Sequence, residues 1–168
     1  FGKSLSNQIK EDVIASSIKN IESSNYEKFI SLEEKKLEEF GYTVRINSSW
    51  GNKEIFLPFI GEFNIENSIQ VFALLLSYDF SLNEISDAIK KCNPPKGRMQ
   101  LIQLNKNYDL PKVIVDFSHT PSSLNLAINA LRDHFHNRKI WCVFGCGGNR
   151  DRGKRKLMGK IAEENADY

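Results

Sequence analysis

Cysteine is scarce in this sequence, and long apolar runs are missing. The chain of 168 residues has three cysteines, Cys92, Cys142 and Cys146. An odd number without metal-site spacing argues against a disulfide framework or a zinc module and favours a reducing compartment. The sequence shows no signal peptide and no apolar run that could span a bilayer. We therefore expect a cytoplasmic protein that is not inserted in a membrane.

Charge of one sign is also not in excess. The 23 Lys and Arg residues nearly balance the 21 Asp and Glu residues, so the net charge is +2. This balance predicts no general attraction to nucleic acid or membranes. The length suits one large or two small domains. Because the chain lacks an initiator methionine and stops soon after a helical pattern, we interpret it as an excerpt of a longer protein.

An anion site is predicted between residues 140 and 156. An apolar run, 140–144, is typical of a buried strand, and three glycines follow: Gly145, Gly147 and Gly148. Basic residues and a helical pattern with Leu157, Met158, Ile161 and Ala162 on one face come next. Glycines admit a ligand close to backbone N–H groups, and a helix start favours phosphate or carboxylate. The alternative is a glycine turn followed by a solvated basic face.

Two familiar motifs nearly fit this stretch and fail. A dinucleotide fingerprint requires a third glycine where the chain has Arg150. A Walker A loop fits from Gly148 to Lys154, but Arg155 replaces the hydroxyl residue that binds magnesium. The predicted anion site therefore lies outside both classes.

The first 60 residues carry little functional information. Patterns predict strands at 12–18, 42–46 and 54–58, with a turn at 48–53. Ser31 and Glu34 form a capping-box pattern, which predicts a short helix over 31–40. We expect a sheet edge of antiparallel strands interrupted by that helix.

Two helices are predicted next. Apolar residues at helical spacing mark the first over 61–77, with Asn64 as its N-cap and Asn67 in the same turn. Carboxamides at a helix start can read a base edge, although the cap and a solvated Asn67 would also explain them. A Ser81–Glu84 capping box begins the second helix, which ends before Pro94. The run 94–97 predicts a domain boundary, and Arg98 beyond it could meet a phosphate or be an ordinary exposed arginine.

After this boundary the pattern predicts a β-α-β unit. Strands are expected at 99–104, 112–115 and 140–144, with a turn at 105–111. A helix capped by Thr120, with Pro121 at its first position, precedes the last strand. The last two strands are expected to be parallel. Asp116 and His119 then share the carboxyl edge of the sheet with the glycine turn, which is where such sheets bind ligands.

Four motifs in order resemble the Mur ligases: G-E-F-N-I-E-N at 61–67, G-R-M-Q at 97–100, V-D-F-S-H-T-P at 115–121 and F-G-C-G-G-N-R-D-R-G-K-R at 144–155. They look most like the MurE type, which adds the third amino acid of the peptidoglycan stem. Phe117-Ser118 stands where the family usually has Tyr-Ala, and Asn149 where it often has Asp. The resemblance covers about residues 55–168 of the sequence.

The resemblance implies an α/β fold of two parts. Residues 1–95 would be the C-terminal part of the central ATP-binding domain, and 96–168 the N-terminal part of the Rossmann-like ligase domain. The P-loop and magnesium ligands would lie before Phe1, and the amino-acid-selecting motif beyond Tyr168. The 168 residues alone are therefore expected to be inactive, with no catalytic residue and no metal ligand of their own.

The implied reaction uses ATP and Mg²⁺ to join an amino acid, meso-diaminopimelate or lysine, to UDP-MurNAc-L-Ala-D-Glu through an acyl phosphate. The expected partners are small molecules only, and the expected state is a monomer. The resemblance places Asn64, Asn67, Arg98, Asp116 and His119 around the nucleotide. It places Arg150 at the carboxylate of the incoming amino acid, with Gly147 and Gly148 beside it. Lys154 and Arg155 receive no role, and a solvated helix face explains them as well.

Three alternatives remain at this stage. One is another member of the superfamily, such as folylpolyglutamate synthase. Another is a nucleotide-binding module without catalysis. The third is an oxidoreductase domain, which the failed dinucleotide fingerprint disfavours.

Overall fold

The computed structural model describes residues 13–21, 26–102, 110–147 and 151–168. The chain forms two compact units. The first holds residues 1–58 and 62–92, and the second holds 59–61 and 93–168. Within the described residues no helix has both the length and the apolarity needed to cross a membrane.

A four-stranded sheet in the order β1-β2-β3-β4 forms the first unit. Its strands are β1 (Ile14–Ser17), β2 (Lys28–Glu38), β3 (Gly41–Ser48) and β4 (Lys53–Leu57). β1 pairs with β2 in parallel, and the other two pairings are antiparallel. The strands expected at 12–18, 42–46 and 54–58 are confirmed, as is the turn before β4, where Gly51 N–H donates to the Ser48 carbonyl at 3.0 Å.

The helix expected over 31–40 is wrong, because β2 occupies these residues. Ser31 is fully buried, and its hydroxyl donates to the Asn47 carbonyl of β3 at 3.4 Å instead of capping a helix. β1 and β3 flank β2 and satisfy its backbone, and this long-range pairing overrides the local capping pattern. The sheet is therefore continuous, and β2 is one of its central strands.

Two helices, α1 (Phe63–Ser77) and α2 (Leu82–Ile89), complete the first unit. α1 contacts β1 and β2, while α2 contacts β4. Alternate residues of β3 and β4 are buried, as period-two strands predict. The helices add Ile65, Ile69, Phe72, Leu76, Ile85 and Ile89 to the core. The predicted capping box of Ser81 and Glu84 is confirmed.

The second unit begins with a short antiparallel pair, β5 (Gln100–Ile102) and β6 (Val113–Val115). Helix α3 (Pro121–His134) follows, with Thr120 as its N-cap and Pro121 in its first turn, as expected. Most of the turn predicted at 105–111 lies outside the described residues.

A small core joins α3 to the segment 140–146 and to α4 (Gly153–Asn165). The buried strand expected at 140–144 is not observed, because no strand is present there and Val143 is 96% exposed. Leu124 and Ile128 of α3 pack there with Ile140 and with Met158 of α4. Met158 is thus buried as predicted, whereas Leu157 is 55% exposed and does not share its face.

The parallel pairing of 140–144 with β6 is a prediction that the described residues do not support. There, β6 pairs only with β5, and 140–144 bonds to the end of the chain instead. Cys142 N–H donates to the Tyr168 carbonyl at 2.8 Å, and Tyr168 N–H donates to the Ile140 carbonyl at 3.2 Å. These two bonds run in the parallel sense, and α4 lies between the two bonded segments. The period of a strand identifies neither its partner nor its direction.

Candidate functional site

Asp116 lies in a tight corner where β5 begins and β6 ends. Its Oδ2 accepts a bond from Met99 N–H at 2.9 Å, and its Oδ1 accepts one from Ser118 N–H at 2.8 Å. The Ser118 hydroxyl also donates to Oδ1. Asp116 directly follows β6, so strand and turn together fix its carboxylate at the carboxyl end of the strand.

Gly97 makes this corner possible. Its φ is +71°, and a Cβ added there would lie 2.7 Å from the Phe117 ring. Its carbonyl accepts a bond from Phe117 N–H at 2.8 Å. Both the backbone conformation and the close ring therefore require glycine at this position.

Arg98 is exposed beside this corner. Its guanidinium carbon lies 6.0 Å from the centroid of the Phe117 ring, a distance at the limit of cation–π attraction. The arginine is thus placed against the turn that carries Asp116, with its charged group in contact with solvent. An exposed guanidinium held in this way is suited to pairing with a phosphate.

His119 completes the cluster. Its Nδ1 lies 3.1 Å from the Phe117 carbonyl oxygen, which can only accept, so Nδ1 donates this bond and Nε2 takes no part in it. The Lys154 ammonium of α4 lies 3.4 Å from the carbonyl oxygen of His119. The structure therefore brings Arg98, Asp116 and His119 together in the second unit, with Lys154 beside them.

The glycine segment is described up to Gly147. Gly145 and Gly147 are exposed, neither has a positive φ, and a Cβ added to either would meet no atom within 4 Å. The chain itself therefore places no steric demand for glycine there. Gly148 and Arg150 lie outside the described residues.

The Cys142 thiol is not poised for nucleophilic chemistry. Cys142 and Cys146 pack against the small core of the second unit. Burial raises the pKa of the Cys142 thiol above its usual value, which keeps it protonated at neutral pH. Among the described residues no group of three or more His, Cys, Asp or Glu could hold a metal ion.

Asn64 and Asn67 form a separate pair in the first unit. The prediction of Asn64 as N-cap is wrong, because Glu62 precedes the helix and Asn64 is its second residue. Gly61 turns the chain with a φ of 93°, so the helix starts earlier than the asparagine pattern indicates. The Asn67 amide donates to Asn64 Oδ1 at 3.2 Å, so the two carboxamides lie on one face of the first turn.

Sequence reasoning missed three contributors to the site. Ser118 closes the turn on Asp116, and an Asp-x-Ser pattern can indicate such a turn. Phe117 packs on Gly97 and Arg98, which no local pattern predicts. Lys154 lies four residues before the buried Met158, and this spacing could have placed it on the inner face of α4.

The chain is similar to known proteins. Residues 97–168 match the sequence model of the family described as Mur ligase, glutamate ligase domain. The UDP-N-acetylmuramoyl-L-alanyl-D-glutamate--2,6-diaminopimelate ligase of Haemophilus influenzae (strain PittGG) is 43% identical over 127 residues, covering 76% of this chain and 25% of that protein. The chain therefore contains a Mur ligase domain over residues 97–168. It spans about a quarter of the length of the curated relatives it matches.

Solved structures agree on the fold. A structure of a UDP-N-acetylmuramoyl-L-alanyl-D-glutamate--2,6-diaminopimelate ligase is 31% identical with a TM-score of 0.61, and covers 90% of this chain and 29% of that one. The UDP-N-acetylmuramate-alanine ligase MurC of Thermotoga maritima has a TM-score of 0.67 at 20% identity, covering 80% and 30%. Folylpolyglutamate synthetase from Lactobacillus casei has a TM-score of 0.52 at 21% identity, covering 66% and 28%. The last two likenesses concern the fold alone, and the predicted α/β class is confirmed.

Proposed function

We propose that this chain is part of an ATP-dependent amide ligase of peptidoglycan precursor synthesis. The enzyme adds the third amino acid, meso-diaminopimelate, to UDP-MurNAc-L-Ala-D-Glu. The observation that carries the proposal is the 43% identity to the Haemophilus influenzae protein whose name states this ligation. The likeness to folylpolyglutamate synthetase is weaker, at 21% identity. The enzyme works as a cytoplasmic monomer.

The two parts of the chain take different roles in this proposal. Residues 1–95 are the end of the ATP-binding domain, and 96–168 are the beginning of the ligase domain. The family match over 97–168 supports the second assignment.

Five residues are proposed to contact the nucleotide. Asn64 and Asn67 read the adenine edge, and Arg98 pairs with a phosphate. Asp116 accepts bonds from the ribose hydroxyls. Its carboxylate already accepts the N–H groups of Met99 and Ser118 and the Ser118 hydroxyl, which fix its orientation. A carboxylate has about four lone-pair sites, so roughly one remains for a ribose hydroxyl. His119 lines the same site with its Nε2.

The chemistry proceeds in two steps. The terminal carboxylate of the dipeptide substrate takes a phosphoryl group from ATP and becomes an acyl phosphate. The amine of the incoming amino acid attacks this carbon, the C–O bond to phosphate breaks, and an amide forms. Positioning and cations around the transferred group supply most of the acceleration. Mg²⁺ would neutralise phosphate charge, but the described residues offer no cluster that could hold it.

The glycine segment and Arg150 bind the incoming amino acid. A planar guanidinium suits bidentate pairing with a carboxylate, and Gly147 and Gly148 leave room for the ligand near the backbone. The open space around Gly147 is consistent with this role.

The test uses the full-length protein that carries this chain. ADP release is followed with UDP-MurNAc-L-Ala-D-Glu, ATP and magnesium, with meso-diaminopimelate, lysine or a folate substrate with glutamate in separate reactions. Release that depends on the dipeptide substrate and meso-diaminopimelate is expected. Release with folate alone would move the protein to another branch of the superfamily, and ATP binding without any release would indicate a non-catalytic module.

Arg150→Ala should separate the two substrates. The KM for the amino acid should rise roughly tenfold to a hundredfold, since one lost charged pair costs about 1.5–3 kcal/mol, while the KM for ATP changes little. The exposed Arg152→Ala, two residues on, is the matched control. Equal effects on both substrates would contradict the assignment of Arg150.

A further inference from the structure

Lys154 differs from the other basic residues around it. It is four residues before Met158, which is 1% exposed, and seven before Ile161, which packs on the same core. This spacing places Lys154 on the inner face of α4. Its side chain is partly buried, whereas its basic neighbours are exposed: Arg152, Arg155 and Lys156.

Both ends of Lys154 are held. Its backbone N–H donates to Asp151 Oδ1 at 3.1 Å, which orders the first turn of α4. Its ammonium lies 3.4 Å from the carbonyl oxygen of His119, across 35 residues of sequence. A cation on a carbonyl makes a charge-assisted bond, which is stronger than a neutral one.

The bonded carbonyl lies in the turn that carries the nucleotide residues. On one side of it, Asp116 is fixed by Met99 and Ser118. On the other, Thr120 is fixed by its capping box. His119 stands between these two anchors, and the Lys154 contact is a third, from a different helix.

We infer that Lys154 is a positioning residue for the nucleotide site: by holding the His119 carbonyl it fixes the orientation of the 116–120 turn, and with it the Asp116 carboxylate and the His119 ring. The inference rests on the proposed function, since it assumes that this turn binds ATP. It also connects α4, which follows the amino-acid segment, to the nucleotide residues.

The expected effect is modest. The contact is long for a hydrogen bond and the ammonium is partly exposed, so we expect roughly a three- to tenfold loss in ATP affinity, near the lower range for bonds to charged groups.

The test compares Lys154→Met, Lys154→Arg and the matched control Lys156→Met in the full-length protein. Dissociation constants of a non-hydrolysable ATP analogue are measured by calorimetry, and KM values for ATP and the amino acid by ADP release. Thermal midpoints are recorded for each variant. We expect Lys154→Met to weaken the analogue and raise the KM for ATP only, Lys154→Arg to restore much of the loss, and Lys156→Met to behave as the unchanged protein.

Several results would overturn the inference. One is that Lys154→Met and Lys156→Met bind the ATP analogue with equal affinity. Another is that Lys154→Arg restores none of the affinity lost in Lys154→Met. A third is that the loss of affinity across the variants parallels the fall in thermal midpoint and does not depend on the Lys154–His119 contact. The binding measurement separates this inference from the proposed reaction. If the unchanged protein binds the analogue but releases no ADP, the reaction fails and the affinities still decide the role of Lys154. If the unchanged protein binds no nucleotide, both fail.

Discussion

The two units use their residues differently. The first has central strands of 11 and 8 residues, whereas β5 and β6 of the second have three each. Of the largest fully buried side chains, all but Met99 and Met158 belong to the first unit. In the second unit, polar bonds around Asp116, His119 and Thr120 shape the site.

The contrast shows that different interactions fix the structure of the two units. Buried apolar area stabilises the first unit, so a substitution there lowers stability mainly by disturbing the packing of the core. Hydrogen bonds and backbone conformation order the corner of the second unit, where the proposed binding residues lie on turns between short elements. Substitutions in the two units should therefore fail for different reasons.

The largest effect is expected in the first core. Phe72→Ala removes a ring that is 2% exposed and should lower the free energy of unfolding by about 3–5 kcal/mol. Val71→Ala, on the same helix but 47% exposed, is the control and should change it by less than about 1 kcal/mol. Urea unfolding measures the free energy of unfolding of both variants. Equal losses in Phe72→Ala and Val71→Ala would contradict the idea that the buried face of the helix carries the stability.

The effect of adding a side chain at a glycine can be compared between the two units, at Gly41 in the first and Gly97 in the second. A Cβ at Gly41 would lie 2.1 Å from the Leu57 carbonyl oxygen, which is backbone, whereas at Gly97 it meets the Phe117 ring, which can turn away. Gly41→Ala should therefore lower the free energy of unfolding more than Gly97→Ala does. Backbone strain and overpacking each cost about 1–3 kcal/mol.

Gly51→Ala is the control for this pair, because Gly51 has a φ of +110° but open space around it. It isolates backbone strain from the clash. If all three variants lose the same stability in urea unfolding, the close approaches at Gly41 and Gly97 carry no cost of their own.

The smallest effect concerns acid. The Ile140 N–H, followed by the Arg132 side chain, holds the pKa of Asp167 below its usual value. Asp167 therefore stabilises the fold fully above the ordinary carboxyl pKa near 4, and this contribution is lost as the pH falls through the lower folded value. Asp167→Asn should lower the urea midpoint at pH 7 and leave it almost unchanged in strong acid.

Glu163→Gln, an exposed position on α4, serves as the control for that pH series and should leave the wild-type profile intact. A constant difference between the Asp167→Asn and unchanged proteins from pH 7 down to strong acid would rule out the ionised carboxylate as the cause.

Local rules in the sequence predicted local structure. The Ser81 and Thr120 caps are correct because a cap depends on residues within one turn. The 31–40 segment was predicted incorrectly, because β1 and β3 supply bonds that no local pattern shows. The pairing of 140–144 with β6 stays a prediction, since the backbone bonds that this segment makes within the described residues run to the end of the chain.

The candidate site divides in the same way. Asp116 and His119 follow β6 at the carboxyl end that the motif predicts, and Arg98 lies beside them. The bond from Lys154 to His119 joins residues far apart in sequence, so only the fold reveals it. The binding roles of these residues stay predictions.

The turn between β2 and β3 has a consequence for the order of folding. Two residues, Glu39 and Phe40, separate the strands, so their pairing closes a very short loop. Hairpins form in about 1–10 μs, and closing a short loop costs little chain entropy. We expect β3 to pair early with β2, which contains the Ser31–Glu34 capping pattern, and β1 to pair with β2 later. A sequence that locally favours one structure is thus committed to another by its nearest neighbour in the chain.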